Sequence, residues 1–130
     1  IFREAETNNI LINVVDKPEL CSFFMPAVVN RGDLQIAVST NGKSPALAKR
    51  IRRRLEEEYG PEYAPWLNLV SEYRRKIMQK EPDKRKRKQA YDRLFNSNIL
   101  EKVRKLSRNN PEMVNNKIDV DKLISRFSEQ

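Results

Sequence analysis

The feature that most constrains the fold of this chain is the change of pattern at Ser44-Pro45. Serine is a favoured N-cap, and proline has the fixed φ of a first helical position, so the pair predicts the start of a helix. Before this point the chain contains short β-rich runs, and after it the apolar residues recur almost entirely at helical spacing. The sequence therefore predicts an α/β part followed by an α-helical part.

Two runs at the start of the chain predict part of a βαβ unit. Residues 1–9 have the pattern of the last turns of a helix, and Ile10–Val15 is a nearly continuous run of β-branched residues and leucine. Such a run is typical of a strand buried on both faces in a parallel sheet. A helix followed by a buried strand is half of such a unit.

Two further β-rich runs, Phe23–Asn30 and Leu34–Ser39, predict a hairpin in which Gly32 supplies a positive φ. Pro26 cannot donate a ladder hydrogen bond, so the first arm should be an edge strand or contain a bulge. An apolar edge strand needs a cover, and a second copy of the chain can provide one.

Several amphipathic helices are predicted after residue 44. The apolar face of the first contains Ala46, Leu47, Ile51 and Leu55. That of the second contains Trp66, Leu69, Val70, Tyr73 and Ile77. Pro82 ends the second helix, and a third lies around Tyr91, Leu94 and Phe95. Residues 98–106 and 119–128 are short candidate helices, with an Asn-rich loop between them.

Composition removes several classes of site and of location. The 130 residues contain no histidine and one cysteine, so a His-rich metal cluster, a Ser-His or Cys-His catalytic pair and an internal disulfide are excluded within the chain. There is neither a run of 18 apolar residues nor a signal-like N-terminus, so we expect a cytoplasmic protein without a membrane partner.

The net charge of +8 is unevenly distributed. Residues 1–65 contain nine Lys/Arg and nine Asp/Glu, and residues 66–130 contain seventeen and nine. The basic residues cluster in KRIRRR (49–54), RRK (74–76) and KRKRK (84–88). An anionic partner is expected for the second half, although charge runs on helices are more often solvated faces, and the aromatic residues lie at core spacing.

Two segments could carry chemistry. Asp16 follows the predicted strand, where open α/β sheets place ligand-facing residues, and could act as a general base; the alternative is a turn residue. The Ser39–Ser44 loop joins a strand end to a helix N-terminus with hydroxyls, one glycine and Lys43, which suits an anion. It lacks the P-loop spacing, and capping alone also explains Ser44.

The order of motifs from residue 10 to 55 closely resembles the precorrin-2 dehydrogenase family, which includes the N-terminal part of siroheme synthase and the bifunctional dehydrogenase/ferrochelatase. The resemblance rests on NVVD, a Phe-rich segment ending in PAVV, then RGDL, AVST and GKSPALA. It is specific as a set, and it extends more loosely to about residue 96.

The resemblance implies NAD-dependent oxidation of precorrin-2 to sirohydrochlorin in siroheme or cobalamin biosynthesis, with metal insertion in some members. It also implies a homodimer formed through the segment that contains the hairpin and the helices after it. Asp16 matches the aspartate that the family uses for acid/base chemistry. The substrate-binding set is Asn13, Ser39, Thr40, Asn41, Gly42, Lys43, Ser44 and Arg50. The basic helices would then meet the eight carboxylates of precorrin-2.

The same resemblance divides the chain into three parts. Residues 1–16 would be the carboxyl-terminal end of the sheet in a Rossmann-like NAD-binding domain. Residues 17–58, with the hairpin and the first helix, would be the dimerisation and substrate-facing segment, and residues 59–130 a basic α-helical domain with a C-terminal tail. No G-x-G-x-x-G is present, so NAD is expected to be bound by an N-terminal part that precedes this chain, and no cofactor or metal ligand is assigned here. There are two alternatives. One is a basic helical module that binds nucleic acid, although nucleic acid is a less expected partner than the tetrapyrrole. The other is a non-catalytic dimerisation fragment.

Overall fold

A computed structural model describes residues 2–14, 17–109 and 118–128. The chain divides into two compact units. Unit 1 comprises residues 1–30 and 35–58, and unit 2 comprises residues 31–34 and 59–130. Two features predicted from the sequence, the Asp16 carboxylate and the Asn-rich loop, lie outside the described residues.

The first part of the chain contains both helix and sheet. Helix α1 (Phe2–Thr7) is followed by a single 3₁₀ turn (Pro18–Leu20), strands β1 (Ala27–Arg31) and β2 (Leu34–Val38), and helix α2 (Pro45–Glu58). The two strands form an antiparallel hairpin. Gly32 in its turn has φ +65°, as predicted, and β1 begins immediately after Pro26. The predicted fold class is confirmed.

The segment Ile10–Val14 differs from the prediction of a buried strand. It is not part of a sheet, and Ile10 and Leu11 are 61% and 72% exposed. Its backbone is held by local bonds instead: Ile10 N donates to Ala5 O at 2.8 Å, and Ser22 N donates to Ile12 O at 2.8 Å. A strand of this composition is buried between neighbouring strands and covering helices, and no strand of the described residues pairs with this segment.

Helix α2 begins at Pro45 as predicted, but its buried side is not the predicted one. Leu47 and Ile51 are 49% and 38% exposed, whereas Ala48 is buried and Leu55 is half-buried. The apolar stripe has the period of a helix, so it could be predicted from the sequence. Unit 1 covers only the edge of the stripe near Ala48 and Leu55. Leu47 and Ile51 remain available to another surface.

Unit 2 is built from helices α3 (Tyr63–Lys80), α4 (Lys84–Phe95), α5 (Ile99–Asn109) and α6 (Val120–Ser128), all of which were predicted. The predicted apolar face of α3 lies in the core. The buried residues are Trp66, Leu69, Tyr73, Ile77, Ala90, Leu94, Ile99, Val103, Val120, Leu123, Ile124 and Phe127. The prediction for α4 is wrong at Phe95, which is 56% exposed: Leu94 takes the core position, and the adjacent Phe95 contacts Trp66 and Tyr91 at the edge of the core.

Polar contacts fix the ends and the packing of these helices. Asp83 caps α4 by accepting a hydrogen bond from Arg85 N at 2.7 Å. Asp121, at the start of α6, accepts hydrogen bonds from Lys76 Nζ (2.6 Å) and Lys80 Nζ (2.7 Å) of α3. These hydrogen bonds lower the pKa of Asp121 from 3.8 to about 2. The ion pairs therefore tie α6 to α3 at neutral pH.

Candidate functional site

The loop between β2 and α2 is ordered by its own hydroxyl groups. Asn41 N donates to Ser39 Oγ at 3.1 Å, and Ser44 N donates to Thr40 Oγ1 at 3.0 Å. Leu47 N donates to Ser44 Oγ at 3.3 Å, so Ser44 is the N-cap that its position next to Pro45 predicted. Because the Ser39 and Thr40 oxygens already accept a hydrogen bond, their hydroxyl protons can be donated to an anionic acceptor.

Gly42 allows this loop to pack closely against Phe24. Asn41 and Gly42 both have left-handed backbone conformations, with φ +52° and +77°. A Cβ atom built on Gly42 would lie 2.5 Å from Cε1 and 2.8 Å from Cζ of the Phe24 ring. The position therefore requires glycine both for its backbone conformation and for its contact with the ring.

Phe24 and the loop enclose a pocket of about 570 Å³ in unit 1. Its polar lining comes from the loop and from the segment before the hairpin, and its apolar lining comes from Phe24, β2 and the start of α2. The lining residues are Asn13, Val14, Lys17, Cys21, Phe24, Met25, Val38, Ser39, Thr40, Gly42, Pro45 and Ala48. An open pocket of this size with one aromatic wall suits part of a large planar ligand.

The structure brings together half of the predicted substrate-binding residues. Asn13, Ser39, Thr40 and Gly42 line the pocket. Asn13 also fixes its own side chain there, since its Nδ2 donates to Phe23 O at 2.9 Å. The roles proposed for these side chains stay predictions.

The other predicted residues are placed elsewhere. Asn41, Lys43 and Ser44 belong to the same loop but do not line the pocket, and Asn41 and Lys43 are exposed. Arg50 lies on α2 in a separate open depression, whose lining residues are Ala46, Lys49, Arg50, Arg53, Arg54 and Glu57. Four cations in one depression suit carboxylates or phosphates at the surface. Asp16 is outside the described residues.

Sequence reasoning missed the apolar wall of the pocket. Phe24, Met25 and Val38 line it, and so does Cys21, whose Sγ accepts a hydrogen bond from Val14 N at 3.2 Å. The Phe-rich segment before Pro26 was the available signal, but it was interpreted as strand. Only the fold shows that this segment meets the loop after β2.

Two kinds of site are not found in the part of the chain that the structure describes. No three His, Cys, Asp or Glu side chains are placed there to hold a metal ion. Within the same residues, no helix is long and apolar enough to cross a membrane.

Comparison with known proteins matches two adjoining segments of the chain to family models. Residues 31–58 match the model described as "Sirohaem biosynthesis protein central", and residues 1–27 match "Putative NAD(P)-binding". The siroheme synthase of Ruthia magnifica subsp. Calyptogena magnifica is 40% identical over 99 residues, which is 76% of this chain and 21% of that protein. The chain is a relative of the siroheme synthases.

Two further siroheme synthases match to a similar extent. That of Pseudomonas paraeruginosa is 38% identical over 103 residues, covering 79% of this chain and 22% of that protein. That of Thioalkalivibrio sulfidiphilus is 40% identical over 92 residues, covering 71% and 19%. The chain thus spans about a fifth of the length of these curated siroheme synthases. The family recognised in the sequence is confirmed.

The residues of this chain do not by themselves fit a bound dinucleotide. The matched segment 1–27 contains no glycine, and the glycines of the chain are Gly32, Gly42 and Gly60. The backbone cradle for a pyrophosphate needs a glycine-rich turn between a strand and a helix N-terminus. Residues 1–27 are therefore similar to an NAD(P)-binding family in sequence, and we assign no dinucleotide contact to a residue of this chain.

Proposed function

We propose that the protein represented by this chain acts in siroheme biosynthesis by oxidising precorrin-2 to sirohydrochlorin, and that the pocket in unit 1 holds part of the tetrapyrrole. The observation that carries the proposal is the convergence of Asn13, Ser39, Thr40 and Gly42 on one pocket of about 570 Å³. Asn13 lies in the segment that matches one family model, and Ser39, Thr40 and Gly42 lie in the segment that matches the other.

The pocket offers complementary chemistry for a macrocycle with acidic side chains. Phe24, Met25 and Val38 provide an apolar wall for the ring. Ser39 and Thr40 can each donate a hydroxyl proton to an acetate or propionate carboxylate. Such charge-assisted hydrogen bonds contribute about 1.5–3 kcal/mol each where water is excluded. The cationic depression on α2 would take further carboxylates of the same substrate.

We propose that Asp16 accepts a proton from the macrocycle during the oxidation. In the sequence it lies between Val14 and Lys17, which both line the pocket, and the chain has no histidine to act in its place. Asp16→Asn keeps the size of the side chain and removes its basicity. We expect turnover by the full-length protein to fall about 10²- to 10⁴-fold with little change in melting temperature. Near-normal turnover would show that Asp16 is a turn residue.

NAD is our proposed cofactor for the full-length protein, bound by parts outside these residues. Residues 1–16 would then be the end of its NAD-binding domain, and residues 17–58 the substrate-facing and dimerisation segment.

Titration of the chain with sirohydrochlorin, followed by absorbance, tests the binding site. We expect Thr40→Val, Lys43→Glu and Arg50→Glu each to weaken binding, because they alter the pocket, the loop and the cationic depression in turn. Lys122→Glu is the matched charge reversal, since its side chain is 86% exposed on α6. Equal affinity in all four variants and in the unaltered chain would refute the site.

A second copy of the chain is the partner that we propose for unit 1. Strand β1 and helix α2 leave apolar side chains exposed, among them Val28 at 40%, Leu47 at 49% and Ile51 at 38%. The hairpin has two strands and therefore two unpaired edges. Burying these side chains against a twin surface would remove them from water, which favours a homodimer.

A further inference from the structure

Helices α3 and α4 contain most of the excess positive charge of the chain. Residues 74–95 include ten Lys/Arg and three Asp/Glu. Some of these cations have a structural partner: Lys76 and Lys80 pair with Asp121, and Arg87 donates to the backbone oxygens of Glu81 and Pro82. Six others make no such contact with the residues that the structure describes, and these we call the α3–α4 cations.

The α3–α4 cations make no ion pair or hydrogen bond through their side chains to any residue that the structure describes, and all of them are exposed. They are Arg74, Arg75, Lys84, Arg85, Lys86 and Lys88. A solvated helical face usually has interleaved ion pairs. The α3–α4 cations instead form an uncompensated group around the short connection from α3 to α4.

An exposed aromatic ring lies on the same two helices. Phe95 is 56% exposed and stacks on Tyr91, with ring centroids 6.2 Å apart and planes 18° apart. Trp66 meets the Phe95 ring edge-on at 6.3 Å, so the ring is held in position although one face is open to solvent. Burial raises the pKa of Tyr91, and Arg74 and Arg87 oppose this shift. Lys84, Lys88 and Phe95 also recur at helical spacing, so two of the α3–α4 cations lie on the side of α4 that holds the ring.

We propose that this face of unit 2 binds single-stranded nucleic acid. The α3–α4 cations would neutralise successive phosphates, and the open face of Phe95 would stack on an unpaired base. An acidic protein segment would use the cations but leave the fixed aromatic face without a planar partner. A duplex would keep its bases inside the stack. This activity is independent of tetrapyrrole binding in unit 1.

Fluorescence anisotropy with a labelled oligo-dT of about 16 nucleotides tests the proposal on the whole chain. We expect binding that weakens with salt, with a log–log slope of about −0.7 for each phosphate contact. Replacing Lys84, Lys86 and Lys88 together by Gln should reduce that slope by about 2. The matched control replaces three exposed lysines of α5 and α6, Lys102, Lys105 and Lys122, and should leave the slope nearly unchanged.

The aromatic contribution is tested separately. Phe95→Leu should lower the affinity for oligo-dT about tenfold, whereas Phe95→Tyr, which keeps a ring, should retain it. Melting temperatures of all variants establish that unit 2 is folded, and if Phe95→Leu fails to fold, the triple Lys variant decides. An unchanged affinity in that variant overturns the proposal. A second pair of results would also overturn it: poly-glutamate displaces the oligonucleotide at equal charge concentration, and Phe95→Leu leaves the affinity unchanged. These results would identify an acidic protein as the partner.

Discussion

Replacement of Gly42 by alanine should destabilise unit 1 through one identifiable contact. The left-handed conformation at φ +77° costs a non-glycine residue about 1 kcal/mol. The new Cβ would lie 2.5 Å from Cε1, 2.8 Å from Cζ and 3.0 Å from Cδ1 of Phe24, so the ring must move. Overpacking of this kind costs about 1–3 kcal/mol. We expect the free energy of unfolding to fall by about 2–4 kcal/mol.

A double-mutant cycle separates the two contributions. Leucine at position 24 lacks the Cε1 and Cζ atoms that would be closest to the new Cβ, so Phe24→Leu should restore part of the stability lost in Gly42→Ala. The expected coupling is about 1–2 kcal/mol, measured by urea unfolding monitored by circular dichroism. Gly32→Ala is the control for the backbone, because Gly32 has φ +65° but its new Cβ would meet Ala64 (Cβ at 3.1 Å, Cα at 3.7 Å) and no aromatic ring. Additive effects of Gly42→Ala and Phe24→Leu, within about 0.5 kcal/mol, would refute the contact.

Three further predictions concern acid, alkali and assembly. The pKa of Asp121 is lowered in the folded chain to about 2, so its pairs with Lys76 and Lys80 stabilise unit 2 above pH 3.8 and are lost as the pH falls towards 2. The melting temperature of Asp121→Asn should therefore fall less over that interval than that of the unaltered chain. Burial raises the pKa of Tyr73 from 10.0 to about 12. The stability that its neutral form provides is present below pH 10 and should be lost between pH 10 and 12. In a measurement of alkaline unfolding, Tyr73→Phe should lose less stability over that interval. Light scattering should show a dimer at micromolar concentration and a shift to monomer in Leu47→Glu; a monomeric unaltered chain would contradict the proposed assembly.

The helices were predictable because their signals are local. Trp66, Tyr73 and Ile77 recur at the spacing of a helical face, and Pro82 and Asp83 mark where one helix ends and the next begins. Each of these features acts within a few residues of itself, so the sequence determines it without reference to the rest of the fold.

The strand prediction at Ile10–Val14 was wrong for a different reason. The β-branched run favours extended backbone, but pairing depends on a neighbouring strand, and none of the described residues supplies one. The pocket was only partly predictable for a similar reason. The loop from Ser39 to Ser44 could be identified by its turn and cap residues, whereas the approach of Phe24 to Gly42 depends on tertiary packing across the hairpin.

The charges of unit 2 show how packing decides which residues are free for function. In the sequence, Lys76 belongs to the RRK run, and Lys80 and Arg104 are further cations of the basic second half. Packing places acidic partners from distant parts of the chain beside them, since Asp121 accepts from both lysines and Glu62 pairs with Arg104 at 2.9 Å. These cations therefore hold α3, α5 and α6 together, and a ligand could use them only by breaking the fold's own ion pairs. The α3–α4 cations have no such competitor among the described residues, so an anionic ligand gains their full attraction without weakening unit 2.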